Sequence, residues 1–129
     1  MSAAASLPHD AARQHVSGSA RYVDDIPTPQ GTLHLAFGLS SCAAGQIRSV
    51  DLSDVRACPG VHLVLEAKDL PHANDVSPSA HDEPLLADGQ VHYSGQPIFL
   101  VVAESHHLAR RAARLAKICL LYTSPSPRD

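Results

Sequence analysis

Val91–Lys117, V-H-Y-S-G-Q-P-I-F-L-V-V-A-E-S-H-H-L-A-R-R-A-A-R-L-A-K, decides the fold class. It reads as a short strand, a Gly-Gln-Pro break, a buried strand and then an amphipathic helix. Ile98–Ala103 is the longest wholly apolar run, and β-branched Ile98, Val101 and Val102 favour a strand covered on both faces. Pro97 has no N–H to give a ladder, so it belongs at the first position of that strand. Ser105 is placed to cap the helix that follows. On a wheel of about 100° per residue, Leu108, Ala112, Leu115 and Ala116 share one side. Arg110, Arg114 and Lys117 share the other, with Arg111 at its edge. This is a scaffold unit with no catalytic group in it.

Working outward, the preceding sequence repeats the strand theme. Leu33, Leu35, Phe37 and Leu39 alternate with smaller or polar residues, the mark of a strand with one face in a core. A second strand follows the Gly45 break at Ile47, Ser49 and Val50. Asp51 then caps a short helix over about 52–58, which Pro59-Gly60 stops. Val61, Leu63 and Leu65 alternate as a third strand, and Ala67–Leu70 is a helical turn. Residues 72–84 form a long polar loop, mobile or used for contact. Asp88-Gly89, between Leu85-Leu86 and Val91/Tyr93, signals a tight hairpin. Toward the N-terminus, 1–14 reads as a flexible lead-in. Ala20–Val23 reads as a short strand ended by Asp24-Asp25, whose role is turn-forming or capping.

The whole is an α+β domain: a mixed sheet of short strands, one main helix over about 106–117 and the shorter one at 52–58. The domain is expected over 15–118, with 119–129 a disordered tail. L-Y-T-S-P-S-P-R-D in that tail resembles the peptide that translated sequencing-adapter DNA adds to metagenomic fragments, so an artefactual end is expected.

Composition excludes several function classes. A length of 129 residues suits one ordinary domain, and the net charge of −3 implies no nucleic-acid or membrane field. No tryptophan, three tyrosines and two phenylalanines offer no base-stacking surface. No run approaches the roughly 18 apolar residues of a membrane span, and the N-terminus lacks the form of a secretory signal. Three cysteines at irregular spacing, Cys42, Cys58 and Cys119, argue for a reducing compartment, and the expected location is cytoplasmic.

Candidate chemistry is thin. Nine histidines contain no H-x-x-x-H or H-E-x-x-H, and no C-x-x-C is present. His34, His62 and His92 would converge only if their strands were neighbours, while His106 and His107 face about 100° apart on a helix. No phosphate-cradling loop and no nucleophile elbow occurs. Cys42 and Cys58 lack an activating base, although Arg56 is near Cys58. Asp82-Glu83 reads as solvated charge. Gln96 is the best-placed polar side chain beside the core, most simply a satisfied turn residue. The residues therefore nominate no catalytic, cofactor-binding or metal-binding site.

The segments H-V-S-G-S-A-R-Y-V-D-D-I-P, T-L-H-L-A-F-G-L-S, P-G-V-H-L-V-L-E-A-K-D-L-P-H-A-N-D and V-H-Y-S-G-Q-P-I-F-L-V-V-A-E-S occur in this order. Together they resemble the start of the molybdenum-binding large subunit in the xanthine dehydrogenase family, over about residues 7–118. That resemblance implies an α/β hammerhead domain. It also implies a full-length molybdenum hydroxylase that oxidises hypoxanthine and xanthine to urate, with water as oxygen source and a buried glutamate as base. A molybdenum–molybdopterin cofactor belongs to the large subunit. A small partner subunit carries [2Fe–2S] clusters and FAD, and NAD takes the electrons. The family's pterin loops and active-site glutamates lie downstream of 118, and Glu66, Glu83 and Glu104 do not match them. This region is then structural and inactive alone. The family pattern continues after Ile118 into another strand, from which this chain departs, so Ile98–Ala103 or its neighbour is expected to keep an open edge. The alternative is a free-standing interaction module using the basic helix face or the 72–84 loop.

Overall fold

The computed structural model describes residues 7–122. The chain divides into two compact units, Met1–Gln30 and Gly31–Asp129.

In the first unit, helix α1 spans Ala12–Ser17 and closes at Gly18 in a left-handed conformation. Part of the expected flexible lead-in is therefore helical, and residues 1–6 lie outside the described range. The strand expected at Ala20–Val23 does not form. The N–H groups of Ser19 and Ala20 both donate to Gln14 O, at 2.9 and 3.0 Å. A 3₁₀ turn at Val23–Asp25 follows, where the Asp25 carboxylate accepts the Tyr22 N–H at 2.9 Å. Local bonds thus take the donors a ladder would use. Asp25 has the capping role its sequence setting suggests.

The second unit contains β1 (His34–Leu39), β2 (Gly45–Asp51), α2 (Ser53–Arg56), β3 (Val61–Glu66), β4 (Gln90–Val91), β5 (Pro97–Ala103), α3 (His106–Ala113) and β6 (Lys117–Tyr122). The fold class is α+β as expected. However, the strands make two three-stranded sheets, β1-β5-β3 and β4-β2-β6, in place of one mixed sheet. β5 runs opposite to both of its neighbours, and β2 to both of its own, so every pair is antiparallel.

Pro97 opens β5 as its missing N–H requires, but β5 is a central strand, so among the described residues the open edges of this sheet belong to its neighbours β1 and β3. The expected loss of a strand after Ile118 is also corrected. β6 continues to Tyr122 and pairs along the length of β2, with Gln46 opposite Leu121 and Gly45 opposite Tyr122. Gly45 permits this close approach, since a Cβ there would lie 2.7 Å from Leu121 O. The tail expected from 119 therefore begins as strand, and 123–129 lie outside the described residues.

Helix α3 starts where expected, with Leu108 N–H donating to Ser105 Oγ at 3.2 Å. It ends at Ala113, four residues short of the expected 117. Arg114, Leu115 and Ala116 switch to the tighter i→i+3 bonds that commonly finish a helix, and β6 then claims Lys117. Leu115 is consequently exposed, and buried Ala109 takes its place beside Ala112. Helix α2 keeps only the middle of the expected 52–58. The Asp51 carboxylate stands ahead of it, accepting the Ser53 N–H at 3.0 Å and hydroxyl at 2.6 Å. Those two bonds, the hydroxyl's foremost, hold the Asp51 carboxyl below the usual aspartate range.

No hairpin forms across Asp88-Gly89, because β4 pairs with β2. Leu86 is instead clamped by Asn74, whose Nδ2 donates to Leu86 O at 2.7 Å while Oδ1 accepts the Leu86 N–H at 2.9 Å. The long loop therefore satisfies the backbone of a buried residue, as a buried amide and carbonyl require.

Candidate functional site

The β1-β5-β3 sheet presents two unlike faces. On one, Ala36, Val101 and Val64 sit in a row across the three strands, with Phe99 and Ala103 beside them, all buried. Helix α3 covers this face through Ala109 and Ala112. Gly38 lies directly under the Phe99 ring, which occupies the place of a Cβ. On the other face, Leu35, Val102 and Leu63 form one row, and Phe37, Leu100 and Leu65 the next. Leu35 is 56% exposed, Phe37 45%, Leu39 54% and Leu63 49%. The large alternating residues of β1 thus point outward, opposite to the core face expected for them. In β3 a register shift between Val61 and Leu63 brings Val64 to the core and turns Leu63 out. What directs this choice is size: small residues on β1 match a helix that presents alanines.

A second distinctive surface is the outer side of α3, where His106, His107, Arg110, Arg111 and Arg114 line one shallow hollow. Among the described residues these arginines form no ion pair. Lys117 does, meeting Asp54 at 2.8 Å, and that hydrogen bond raises its pKa.

The residues weighed for chemistry do not assemble. His34 and His62 stand on strands separated by β5, and His92 follows β4 in the other sheet. His62 meets Glu104 at 3.6 Å with both side chains exposed. Among the described residues no cluster of three histidine, cysteine or acidic side chains is arranged to hold a metal ion. Cys42 and Cys58 are half-buried against the core, and Cys119 is exposed. Arg56 turns to Glu66 at 3.3 Å and not to Cys58. Gln96 is buried, and its Oε1 accepts the His92 N–H at 2.7 Å. Its carbonyl accepts the Ser40 N–H at 2.9 Å, so it ties the Gly-Gln-Pro turn to the end of β1. Asp82 and Glu83 are exposed. In the same loop Asp75 accepts the Ser77 N–H at 2.9 Å and bonds His81, and both contacts, the first foremost, lower its pKa. The arrangement can bury apolar surface and attract negative charge. It contains no nucleophile with a base beside it.

Residues 17–122 match the model of the aldehyde oxidase and xanthine dehydrogenase a/b hammerhead domain. The chain belongs to this family. The xanthine dehydrogenase of Drosophila subobscura is 42% identical over 111 residues, covering 85% of this chain and 8% of the relative. That of Rattus norvegicus, a xanthine dehydrogenase/oxidase, is 39% identical over 112 residues, 87% of this chain and 8% of the relative. Among solved structures, the aldehyde oxidoreductase of Desulfovibrio gigas superposes with a TM-score of 0.79 at 33% identity, over 91% of this chain and 14% of that one. A Cu,Mo-CO dehydrogenase superposes at 0.77 and 32% identity, over 94% of this chain and 15% of that one. The hammerhead chain therefore spans about 8% of the length of the curated relatives it matches. No helix among its described residues is long and apolar enough to cross a membrane.

Proposed function

We propose that this hammerhead domain is a structural part of a molybdenum hydroxylase whose complete form oxidises hypoxanthine and xanthine to urate, in the cytoplasm. One observation supports the purine assignment: relatives matching most of the chain are xanthine dehydrogenases, 42% identical in Drosophila subobscura and 39% in Rattus norvegicus. In that complete form, molybdenum–molybdopterin supplies the hydroxylation centre from other parts of the subunit. A partner subunit with [2Fe–2S] clusters and FAD passes electrons to NAD.

The described side chains weighed as cofactor ligands do not fit that role. Cys42 and Cys58 pack against the core, and the Gln96 side-chain oxygen is already engaged by the His92 N–H. No step of the hydroxylation is assigned to them. The role left for the domain is to order its own sheets and present surfaces to the rest of the enzyme.

The purified 129-residue chain is expected to contain no stoichiometric molybdenum by elemental analysis and to form no urate from xanthine. Either signal overturns the structural assignment. Continued to the length of its relatives, the chain is expected to oxidise xanthine with its partner subunit present. Oxidation of aldehydes without xanthine would overturn the substrate. The basic side of α3, with Arg110, Arg111 and Arg114 outside any ion pair among the described residues, favours a second reading as a free-standing interaction module. That reading gains if the 129-residue chain is the whole translated product in its source.

A further inference from the structure

We infer that the outer face of the β1-β5-β3 sheet is a docking surface for another part of the same hydroxylase polypeptide, and not for a second copy or a separate subunit. The inference rests on the structural role proposed above. Leu35, Phe37 and Leu39 on β1, Leu100 and Val102 on β5, and Leu63 on β3 share this face. No polar or charged residue interrupts the two cross-strand rows. Such composition resembles a domain core cut in half, the character of permanent contacts. A face destined for reversible meetings with a free partner carries a more polar surface.

Size separates the occupants. Four large side chains about half exposed, with their half-buried neighbours, present on the order of 500 Å², the upper range for an apolar patch on a single domain. A standard interface between free partners needs roughly 800 Å² from each. The patch is too small to hold an untethered copy or subunit against its lost translational and rotational freedom. A segment of the same chain has already lost most of that freedom, and its effective concentration is on the order of millimolar. The supply of such segments is ample: this domain is 8% of the length of its curated relatives. Arg110 and Arg114 of α3 line one hollow with Phe37 and Leu39 at the β1 edge of the sheet, so the face is apolar across its rows and basic at that one rim.

The test is cysteine labelling read by peptide-resolved mass spectrometry, which separates the native Cys42, Cys58 and Cys119 from introduced thiols. L35C and L63C are placed in the 129-residue chain and in the full-length subunit, with D88C at the exposed Asp88 before β4 as control. The face thiols are expected to label at least tenfold more slowly in the full-length subunit alone, while D88C labels equally in both. Equal labelling at the face overturns the inference. Protection of the short chain that grows with its concentration assigns the face to a second copy and also overturns it. Protection that appears only on adding the partner subunit assigns the face to that subunit and overturns it likewise. Hydroxyl-radical footprinting of Phe37 and Leu39 in the unmutated proteins gives the same comparison if a cysteine variant fails to fold. Xanthine oxidation by the same full-length preparation is measured separately. Activity with an unprotected face defeats only the docking inference, and a protected face without activity defeats only the enzymatic one.

Discussion

The two faces of one small sheet differ in a way that the composition of its strands conceals. The covered face is built from Ala36, Gly38, Val64, Val101 and Ala103, with Phe99 the one large side chain. The uncovered face carries Leu35, Phe37, Leu39 and Leu63. Ordinary reasoning sends the larger side chains inward, because burial stabilises in proportion to apolar area. Here the helix that covers the sheet presents alanines, and a close-lying helix leaves no depth for leucines. Within the described residues the small face is satisfied and the large one is not. The domain therefore has the form of a part shaped for a larger core.

The sharpest way to break this comparison is to truncate one phenylalanine on each face. Phe99→Ala is expected to cost about 3–5 kcal/mol in urea denaturation. Phe37→Ala in the 129-residue chain is expected to cost less than about 1 kcal/mol, as for a surface site. Equal losses would mean that the outer face is already covered within this chain. Next in size is Gly38→Ala, whose new methyl group overlaps the Phe99 ring. The forced shift of that ring is expected to cost about 1–3 kcal/mol, seen as a lower denaturation midpoint. Little change would show that Phe99 can move away freely.

Smaller effects test the supports of the covered face. Ser105→Ala removes the bond to the Leu108 N–H and is expected to cost about 1 kcal/mol through fraying of α3. Ser105→Asp, which can still accept that bond, is expected to restore most of it. The smallest effect concerns acid. The Asp51 carboxyl is held below its ordinary value, first by the Ser53 hydroxyl and next by the Ser53 N–H. The unfolded chain therefore binds this proton more readily than the folded one. The stabilisation is complete above the unfolded value of about 3.9 and is lost as pH falls from there through the folded value. Asp51→Asn is expected to flatten the stability–pH curve below that point and leave the curve above about pH 5 parallel to the parent. A curve unchanged in acid would show that the cap contributes no linkage.

Several local features were legible from residues alone because each has a local cause. Pro97 had to open a strand, Ser105 had to cap a helix, and the alternation of β1 and β3 had to be strand. The failures were also physical. At Ala20–Val23 an alternating pattern lost to backbone bonds aimed at Gln14 and Asp25. Asp88-Gly89 looked like a hairpin, but its flank was taken by the distant Asn74. Past Ile118 the change in composition hid K-I-C-L-L-Y as a strand, since its partner β2 lies far earlier in the chain. For the candidate surface, the apolar rows were visible as residues, but their outward direction was not. The usable signal was the run of small residues at Ala36 and Gly38 facing an alanine-bearing helix.

By itself, the sequence determined the type of most elements between β1 and α3, their order, and a family resemblance carried by several ordered motifs. Only the tertiary structure decided that the strands divide into two antiparallel sheets and that β5 is central. It alone decided that the leucines of β1 face outward. The physical reason is that period and capping are properties of neighbouring residues, while burial belongs to whatever arrives from elsewhere in the chain. A strand's pattern says that one side is apolar, and only its neighbours in space say which side is covered.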